Sequence, residues 1–138
     1  MARIGLDGFS KRELQHYYMN SMRPILDKNA LYSDTTAEYL IPPEPNPYTE
    51  VTIRFRSAKN NIDSVYFVCK GQKELLLKSY SDELFDYYEI EYQLDNEKIR
   101  YHFEIKSAHL TCYYDMRGVA KEADTNYDFI VIPGFKTP

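Results

Sequence analysis

Tryptophan is absent from this chain of 138 residues, and cysteine is scarce, with two residues. A Gly-rich phosphate loop and a G-x-S-x-G nucleophile turn are also missing from the sequence. Cys69 and Cys112 both fall in predicted strands, and neither has metal-ligand spacing to His16, His102 or His109. We therefore predict no metal, no cofactor and no catalysis, and we favour two buried free thiols over a disulfide.

Long apolar runs and an excess of positive charge are lacking as well. The first eight residues contain no signal-peptide stretch, and no segment is apolar for long enough to span a membrane. The chain has 17 Lys and Arg against 21 Asp and Glu, which gives a net charge of −4 and no basic surface for nucleic acid. We therefore expect neither nucleic acid nor membrane as a partner, and we favour the cytoplasm over secretion.

Tyrosine is abundant, with 14 residues beside 7 phenylalanines. Tyrosine suits half-buried strand positions in a small β core, and it also suits wet recognition surfaces, because its rigid ring carries a polar hydroxyl. The length allows one domain with a real core but falls short of the roughly 250 residues of a (β/α)8 barrel.

Alternating apolar residues between Asn, Asp and Gly turns predict seven or eight short strands. The predicted strands are Thr36–Ile41, Val51–Arg56, Ile62–Cys69, Glu74–Lys78, Ile99–Lys106, Leu110–Tyr114 and Phe129–Ile132, together with the stretch treated next. This spacing predicts an all-β fold, an antiparallel β-sandwich.

The stretch Ser81–Leu94 is the most strongly patterned part of the chain. Apolar and polar residues alternate strictly from Tyr88 to Leu94, but Phe85 and Tyr87 are apolar in the opposite phase. Since a strand changes its inward face only through an extra residue, we predict a bulge or a new strand start between Tyr87 and Tyr88. This phase slip should leave Tyr87 as the more exposed of the two rings.

Two polar groups could be read as catalytic. Asp82, Glu83 and Asp86 could flank a glycosidic bond if they faced each other across a cleft, but their spacing along a turn predicts a solvated acidic turn. His102 alternates with inward apolar residues in Ile99–Lys106, which predicts a solvent-facing histidine. We therefore expect neither group to be catalytic.

The N-terminal part has helical character. Ser10 and Glu13 form a capping box, and a short amphipathic helix is predicted over Ser10–Met22, ended by Pro24. Residues 1–30 are therefore expected to be a helical extension. Such a helix could be a docking element, or it could simply pack on its own domain.

Four stretches in order carry a family resemblance: Val51–Asp63, Ser81–Tyr88, Arg100–Glu104 and Cys112–Gly118. They resemble the N-terminal domain of neopullulanase-like and cyclomaltodextrinase-like enzymes, the family-34 carbohydrate-binding module, which precedes the catalytic barrel of the α-amylase family. Ile132–Pro138 resembles the junction at which that barrel begins. The resemblance covers about Leu31 to Pro138.

The resemblance implies an immunoglobulin-like sandwich over residues 31–132 and a junction to a catalytic barrel over residues 133–138. It places the catalytic acids in the barrel, so this chain would be a non-catalytic module of a glycosidase acting on α-glucosidic bonds. It implies two alternative roles, which are binding of an α-glucan (maltooligosaccharide, starch or cyclodextrin) and assembly of a homodimer in which the domain shapes the partner subunit's active-site groove.

Three tyrosines are our candidates for carbohydrate binding. Tyr87 is predicted from the phase slip, and Tyr80 and Tyr113 from their positions next to a turn or to a second tyrosine. Sugar-binding surfaces often use Trp, which this chain lacks, but a tyrosine ring offers the same kind of face and adds a hydroxyl.

Overall fold

Two antiparallel β-sheets pack face to face in the computed structural model, which describes residues 25–138. The strands are β1 (Leu40–Ile41), β2 (Glu50–Ala58), β3 (Ser64–Cys69), β4 (Gln72–Leu75), β5 (Leu77–Ser81), β6 (Phe85–Gln93), β7 (Ile99–Ser107), β8 (Leu110–Asp115), β9 (Gly118–Ala120) and β10 (Phe129–Val131). Sheet A has the order β1-β2-β6-β5. Sheet B has the order β4-β3-β7-β8-β9, and β10 pairs with the first residues of β7.

The predicted all-β sandwich is therefore confirmed. Short 3-10 turns at Lys28–Ala30 and Thr125–Tyr127 are the helical elements of the described part. The predicted helix Ser10–Met22 lies outside the described residues. No helix within residues 25–138 has the length and apolar character needed to cross a membrane.

The core is built by the inward positions of the long strands, as their alternation predicts. Strand β7 buries the apolar positions Ile99, Tyr101, Phe103 and Ile105, and β2 buries Val51, Ile53 and Phe55. The Phe55 and Phe103 rings meet across the two sheets, with centroids 4.9 Å apart. Each such side chain contributes roughly 1.5–3 kcal/mol by leaving water, so these two strands anchor the sandwich.

The prediction of one strand over Glu74–Lys78 is wrong, because the chain changes sheets at Leu76. Leu76 is 3 % exposed, and its N–H donates to the Val65 carbonyl at 2.9 Å. Strand β4 lies before it at the edge of sheet B, and β5 lies after it at the edge of sheet A. Because Leu75, Leu76 and Leu77 are all apolar, they show no alternation between apolar and polar residues, and the crossing could not be located from the sequence. The edge strand predicted over Thr36–Ile41 is likewise reduced to Leu40–Ile41.

The predicted phase slip in β6 is also wrong. Strand β6 pairs with β2 in unbroken register, from Glu50 opposite Gln93 to Ala58 opposite Phe85. The irregularity lies instead on the neighbouring strand, between Lys78 and Tyr80 of β5.

Asp86 takes the inward position at which the slip was predicted, and it is 0 % exposed. Its carboxylate accepts hydrogen bonds from the Ser81 hydroxyl at 2.5 Å and the Asn60 N–H at 2.9 Å, and it pairs with Lys78 at 3.1 Å. A buried carboxylate with such partners keeps the strand in phase. Asp86 is thus no part of a solvated acidic turn. Tyr87 is nevertheless more exposed than the buried Tyr88, as predicted, because it occupies an outward position of the continuous strand.

The solvent-facing assignment of His102 is wrong as well. His102 is 7 % exposed, and its Nδ1 lies 3.0 Å from Asp128 Oδ1. Since an ionised carboxylate can only accept, this nitrogen is the donor. Glu104, on the same face, is 8 % exposed and is covered by Lys73 from β4. The alternation correctly predicted that these residues point away from the core, but not that Asp128 and Lys73 pack over them.

Both cysteines are buried free thiols, as predicted. Cys69 lies on β3 and Cys112 on β8, with β7 between them. Strands two places apart are separated by roughly 9.6 Å, which exceeds the roughly 7 Å between Cα atoms that a disulfide can bridge.

Candidate functional site

Tyr80 and Tyr87 meet on the outer face of sheet A. They are paired residues of β5 and β6, and their rings stack with centroids 4.5 Å apart and an interplanar angle of 12°. Tyr80 remains 49 % exposed. The irregularity of β5 after Lys78 brings Tyr80 into line with Tyr87. The two rings, here called the tyrosine platform, therefore support one another and present their outer surface to solvent.

An ion pair borders the platform on one side. Arg54 Nε donates to Glu89 Oε2 at 2.7 Å, and Arg54 Nη1 donates to the Glu38 carbonyl at 2.8 Å. The guanidinium carbon also lies 5.9 Å from the centre of the Tyr80 ring, within cation–π range. These contacts hold donors and acceptors at a defined position beside the rings.

A carboxylate borders the platform on the other side. Asp82 accepts the N–H groups of Leu84 and Phe85, and these two bonds, with that of Leu84 first, hold the pKa of Asp82 below its ordinary value. The Tyr87 hydroxyl donates to Asp82 Oδ2 at 3.4 Å. Burial, followed by the charge of Asp82, raises the pKa of Tyr87. Near neutral pH the site thus presents a neutral phenol beside an ionised acceptor.

The aromatic surface continues beyond the platform. The Phe85 ring lies under the Arg56 guanidinium at 4.2 Å, and the same guanidinium lies 5.3 Å from the Tyr32 ring. The Tyr32 hydroxyl donates to Asp34 at 2.7 Å, and this bond is the main cause that raises the pKa of Tyr32 to about 12. The sequence analysis did not predict that Tyr32 and Phe85 would extend the aromatic surface. The outward positions of β2 were the available signal, because Arg54 stands opposite Glu89 and Arg56 stands opposite Tyr87 of β6.

Tyr113 does not join the platform. It lies half-buried on β8, on the outer face of sheet B, with its ring 6.1 Å from the His102 ring. Of the three predicted tyrosines, the fold brings Tyr80 and Tyr87 together and places Tyr113 on the opposite face of the sandwich.

The arrangement on sheet A is suited to binding. It combines ring surface, an ion pair and an anchored carboxylate, which are the elements that fix the orientation of a polar ligand. Within residues 25–138 no group of three His, Cys, Asp or Glu residues is placed to hold a metal ion.

Comparison with solved structures shows the same fold in three enzymes. A cyclomaltodextrinase matches with a TM-score of 0.65 and 21 % identity over 75 % of this chain and 19 % of its own. A maltogenic amylase from S. marinus matches with a TM-score of 0.61 and 16 % identity, over 84 % of this chain and 16 % of its own. The type III pullulan hydrolase from Thermococcus kodakarensis matches with a TM-score of 0.52 and 13 % identity, over 77 % of this chain and 17 % of its own.

This chain therefore spans less than a fifth of the length of each of these enzymes. A comparison with curated protein sequences gave no match. The sequence model of the family described as "Alpha amylase, N-terminal ig-like domain" matches residues 26–133, which is most of the chain. The chain thus belongs to the family of N-terminal immunoglobulin-like domains of the α-amylases.

Proposed function

We propose that this chain is the accessory N-terminal module of an α-glucan-degrading glycoside hydrolase, and that it binds or helps to present starch or maltodextrin. The observation that carries the proposal is the tyrosine platform, an outward stack of Tyr80 and Tyr87 bordered by Arg54–Glu89 and by Asp82. The three structural relatives are named as a cyclomaltodextrinase, a pullulan hydrolase and a maltogenic amylase, and these names support the ligand class.

The chemistry of the platform fits a neutral sugar chain. A pyranose ring has an apolar face, which packs on an aromatic ring, and a rim of hydroxyls, which need donors and acceptors. Tyr80 offers the half-exposed ring, and Glu89 and Asp82 offer carboxylate oxygens on either side. Both carboxylates are held by existing bonds, so a sugar meets a surface that is already ordered.

The domain boundaries form part of this proposal. Residues 31–132 would be the sugar-recognition sandwich, and residues 133–138 would lead into the catalytic barrel. Catalysis belongs to that separate domain, and the parent enzyme would cleave α-glucosidic bonds in starch, pullulan, cyclodextrins or maltodextrins.

The test is a titration of the 138-residue chain with maltooligosaccharides and β-cyclodextrin, by calorimetry or affinity electrophoresis. Tyr80→Ala and Tyr87→Ala should each weaken binding about two- to tenfold, since stacking contacts contribute roughly 0.5–1.5 kcal/mol. Tyr48→Ala is the matched control, because Tyr48 is 68 % exposed and lies before β2, at the far end of sheet A. No binding at millimolar ligand, or equal weakening by the control, would reject the platform.

A second candidate function is assembly with another subunit. Leu75 and Leu77 are 48 % and 68 % exposed on either side of the crossing from sheet B to sheet A, and with Ile90 they line a shallow hollow of about 370 Å³. Such an edge would suit a homodimer in which the domain shapes the partner's groove. Deleting the domain from the parent enzyme would test this. An unchanged dimer with unchanged preference for large over small substrates would rule it out.

A further inference from the structure

The outer face of sheet B carries an ordered row of three residues that the platform does not use. Tyr66 of β3 stands directly opposite Glu104 of β7, and Glu104 stands directly opposite Tyr113 of β8. All three occupy outward positions, because the residues on either side of each belong to the core. Strands are spaced by about 4.8 Å, so the two tyrosines are attached roughly 9.6 Å apart with the carboxylate between them.

Glu104, in the middle of this row, is held in place by two lysines. Its side chain is 11 % exposed, and Oε2 accepts a hydrogen bond from Lys73 Nζ at 3.1 Å and lies 3.8 Å from Lys106 Nζ. Lys73 Nζ also lies 5.4 Å from the centre of the Tyr66 ring, so one lysine fixes both residues. Among residues 25–138, Glu104 Oε1 forms no hydrogen bond.

The Tyr113 ring, at the other end of the row, is held in place by His102. The Tyr113 ring packs at 65° against the His102 ring, and His102 is buried and bonded to Asp128 at 3.0 Å. Neither the Tyr113 hydroxyl nor that of Tyr66 has a hydrogen-bond partner in the described part of the chain. The row thus holds two ring surfaces in place and leaves two hydroxyls and one carboxylate oxygen available.

We propose that Tyr66, Glu104 and Tyr113 form a second binding site, on the opposite face of the sandwich from the platform, for a neutral chain of hexose units. The two rings take the apolar faces of the sugar, and the sugar hydroxyls donate to Glu104 Oε1 and accept from Lys73 or from the tyrosine hydroxyls. The lysines already compensate the carboxylate, so the site favours a neutral ligand over a charged one. It shares only its ligand class with the proposed function.

Two sites on opposite faces have a consequence for long ligands. One short oligosaccharide cannot cover both faces of the sandwich, so each site binds its own segment. A long glucan chain that folds back, or two neighbouring chains, can occupy both sites and gain avidity through effective concentration. Long ligands should therefore bind more tightly than the short-ligand affinity of either site predicts.

The experiment is a nuclear magnetic resonance titration of the ¹⁵N-labelled 138-residue chain with maltotriose and with a long maltodextrin. We expect two separate sets of shift changes, one around Tyr80 and Tyr87 and one across β3, β7 and β8. Tyr113→Ala should weaken the affinity reported by the second set about two- to tenfold and leave the affinity reported by the first set unchanged. Tyr113→Phe keeps the ring packing and should weaken binding at the second site less than Tyr113→Ala does. It therefore serves as a variant in which a folding defect is not expected. Thr111→Ala, an exposed position on the same face, is the control.

Each outcome separates the two proposals. Shifts on both faces support both sites. Shifts on sheet A alone overturn the second site and leave the platform standing. Shifts on sheet B alone support the second site and reject the platform. Absence of shifts at millimolar ligand overturns both, and a response of Thr111→Ala equal to that of Tyr113→Ala also overturns the second site.

Discussion

The buried carboxylate of Asp86 shows how one residue holds a strand in phase. Burial by itself would raise the pKa of Asp86, but the bonds from Ser81, the Asn60 N–H and Lys78 outweigh it and hold the pKa below the ordinary value of 3.8. The Asp86 partner raises the pKa of Lys78 in turn, so the two directions agree. The ionised group is therefore part of the native packing between β2, β5 and β6.

Asp86→Ala should lower the free energy of unfolding by about 3 kcal/mol, because Ser81, the Asn60 N–H and Lys78 all lose their buried charged acceptor. Asp86→Asn keeps an acceptor and should cost about half as much, roughly 1.5 kcal/mol. Glu83→Ala, at an exposed neighbouring acid, is the control. Urea unfolding followed by circular dichroism measures all three. Equal stabilities of Asp86→Ala and Glu83→Ala would contradict this role.

The same residue predicts a pH dependence. Since the folded pKa of Asp86 is lower than 3.8, its stabilisation is present above that value and is lost as the pH falls through the folded pKa. The difference in stability between the parent chain and Asp86→Ala should therefore shrink as the pH falls below about 4. A difference that stays constant as the pH is lowered until the chain unfolds would show that the charge of Asp86 is unimportant.

At the scale of elements, the proline-rich segment before β2 and the segment after β10 hold each other. The Gly134 N–H donates to the Pro45 carbonyl at 2.8 Å, and the Thr137 N–H donates to Glu44 Oε2 at 2.7 Å. The Thr137 hydroxyl and Lys136 also bond to Glu44. The Thr137 hydroxyl, followed by its N–H, lowers the pKa of Glu44 from 4.5. One exposed carboxylate thus sets the direction in which the chain leaves the sandwich.

Glu44→Ala should accelerate amide hydrogen exchange at Thr137, because its acceptor is removed, while exchange in β7 stays unchanged. Glu50→Ala, at an exposed acid that begins β2, is the control. In the parent chain the Glu44 contacts should persist at about pH 4.5 and weaken as the pH falls through the lowered pKa. Unchanged Thr137 exchange in Glu44→Ala would mean that Gly134 alone holds the segment.

The change of sheet at Leu76 is a second feature of this scale. It creates a continuous edge in which every residue of β4 and β5 is exposed, whereas Leu76 itself is buried. Leu75 and Leu77, on either side of Leu76, are the residues on which the proposed assembly with another subunit depends. This edge could not be predicted from the sequence, because β4 and β5 are both too short to show an alternating pattern.

At the scale of the whole molecule, the sandwich determines which side chains can act together. The two sheets place Tyr80 and Tyr87 on one outer face and Tyr66 and Tyr113 on the other. A small domain that carries aromatic side chains on both outer faces fits an accessory role beside a separate barrel, which is the role we propose for it.

The buried cysteines give a global prediction. Cys69 and Cys112 are 5 % and 3 % exposed, and burial is the first cause that raises the pKa of each thiol. Both should react with a thiol reagent at least about 10³-fold more slowly than in urea-unfolded chain, because labelling must wait for opening of the sheets. The Asp86→Ala variant should react faster, by about tenfold for each 1.4 kcal/mol of stability that it loses. Rapid labelling of the folded chain would show that the sheets open locally.

The alternation in the sequence was enough to predict the strands whose inward faces are continuous and apolar, such as β2 and β7. Motifs on β2, β6, β7 and β8 also indicated the family. The sequence also indicated that Tyr87 is more exposed than Tyr88. These features are local, because the two-residue period of a strand records which side each residue faces. The three-dimensional fold was needed to show that Asp86, His102 and Glu104 are buried, that the chain changes sheets at Leu76, and which tyrosines meet. Those features depend on partners distant in the chain, such as Asn60, Asp128 and Lys73, and a periodic pattern contains no information about them.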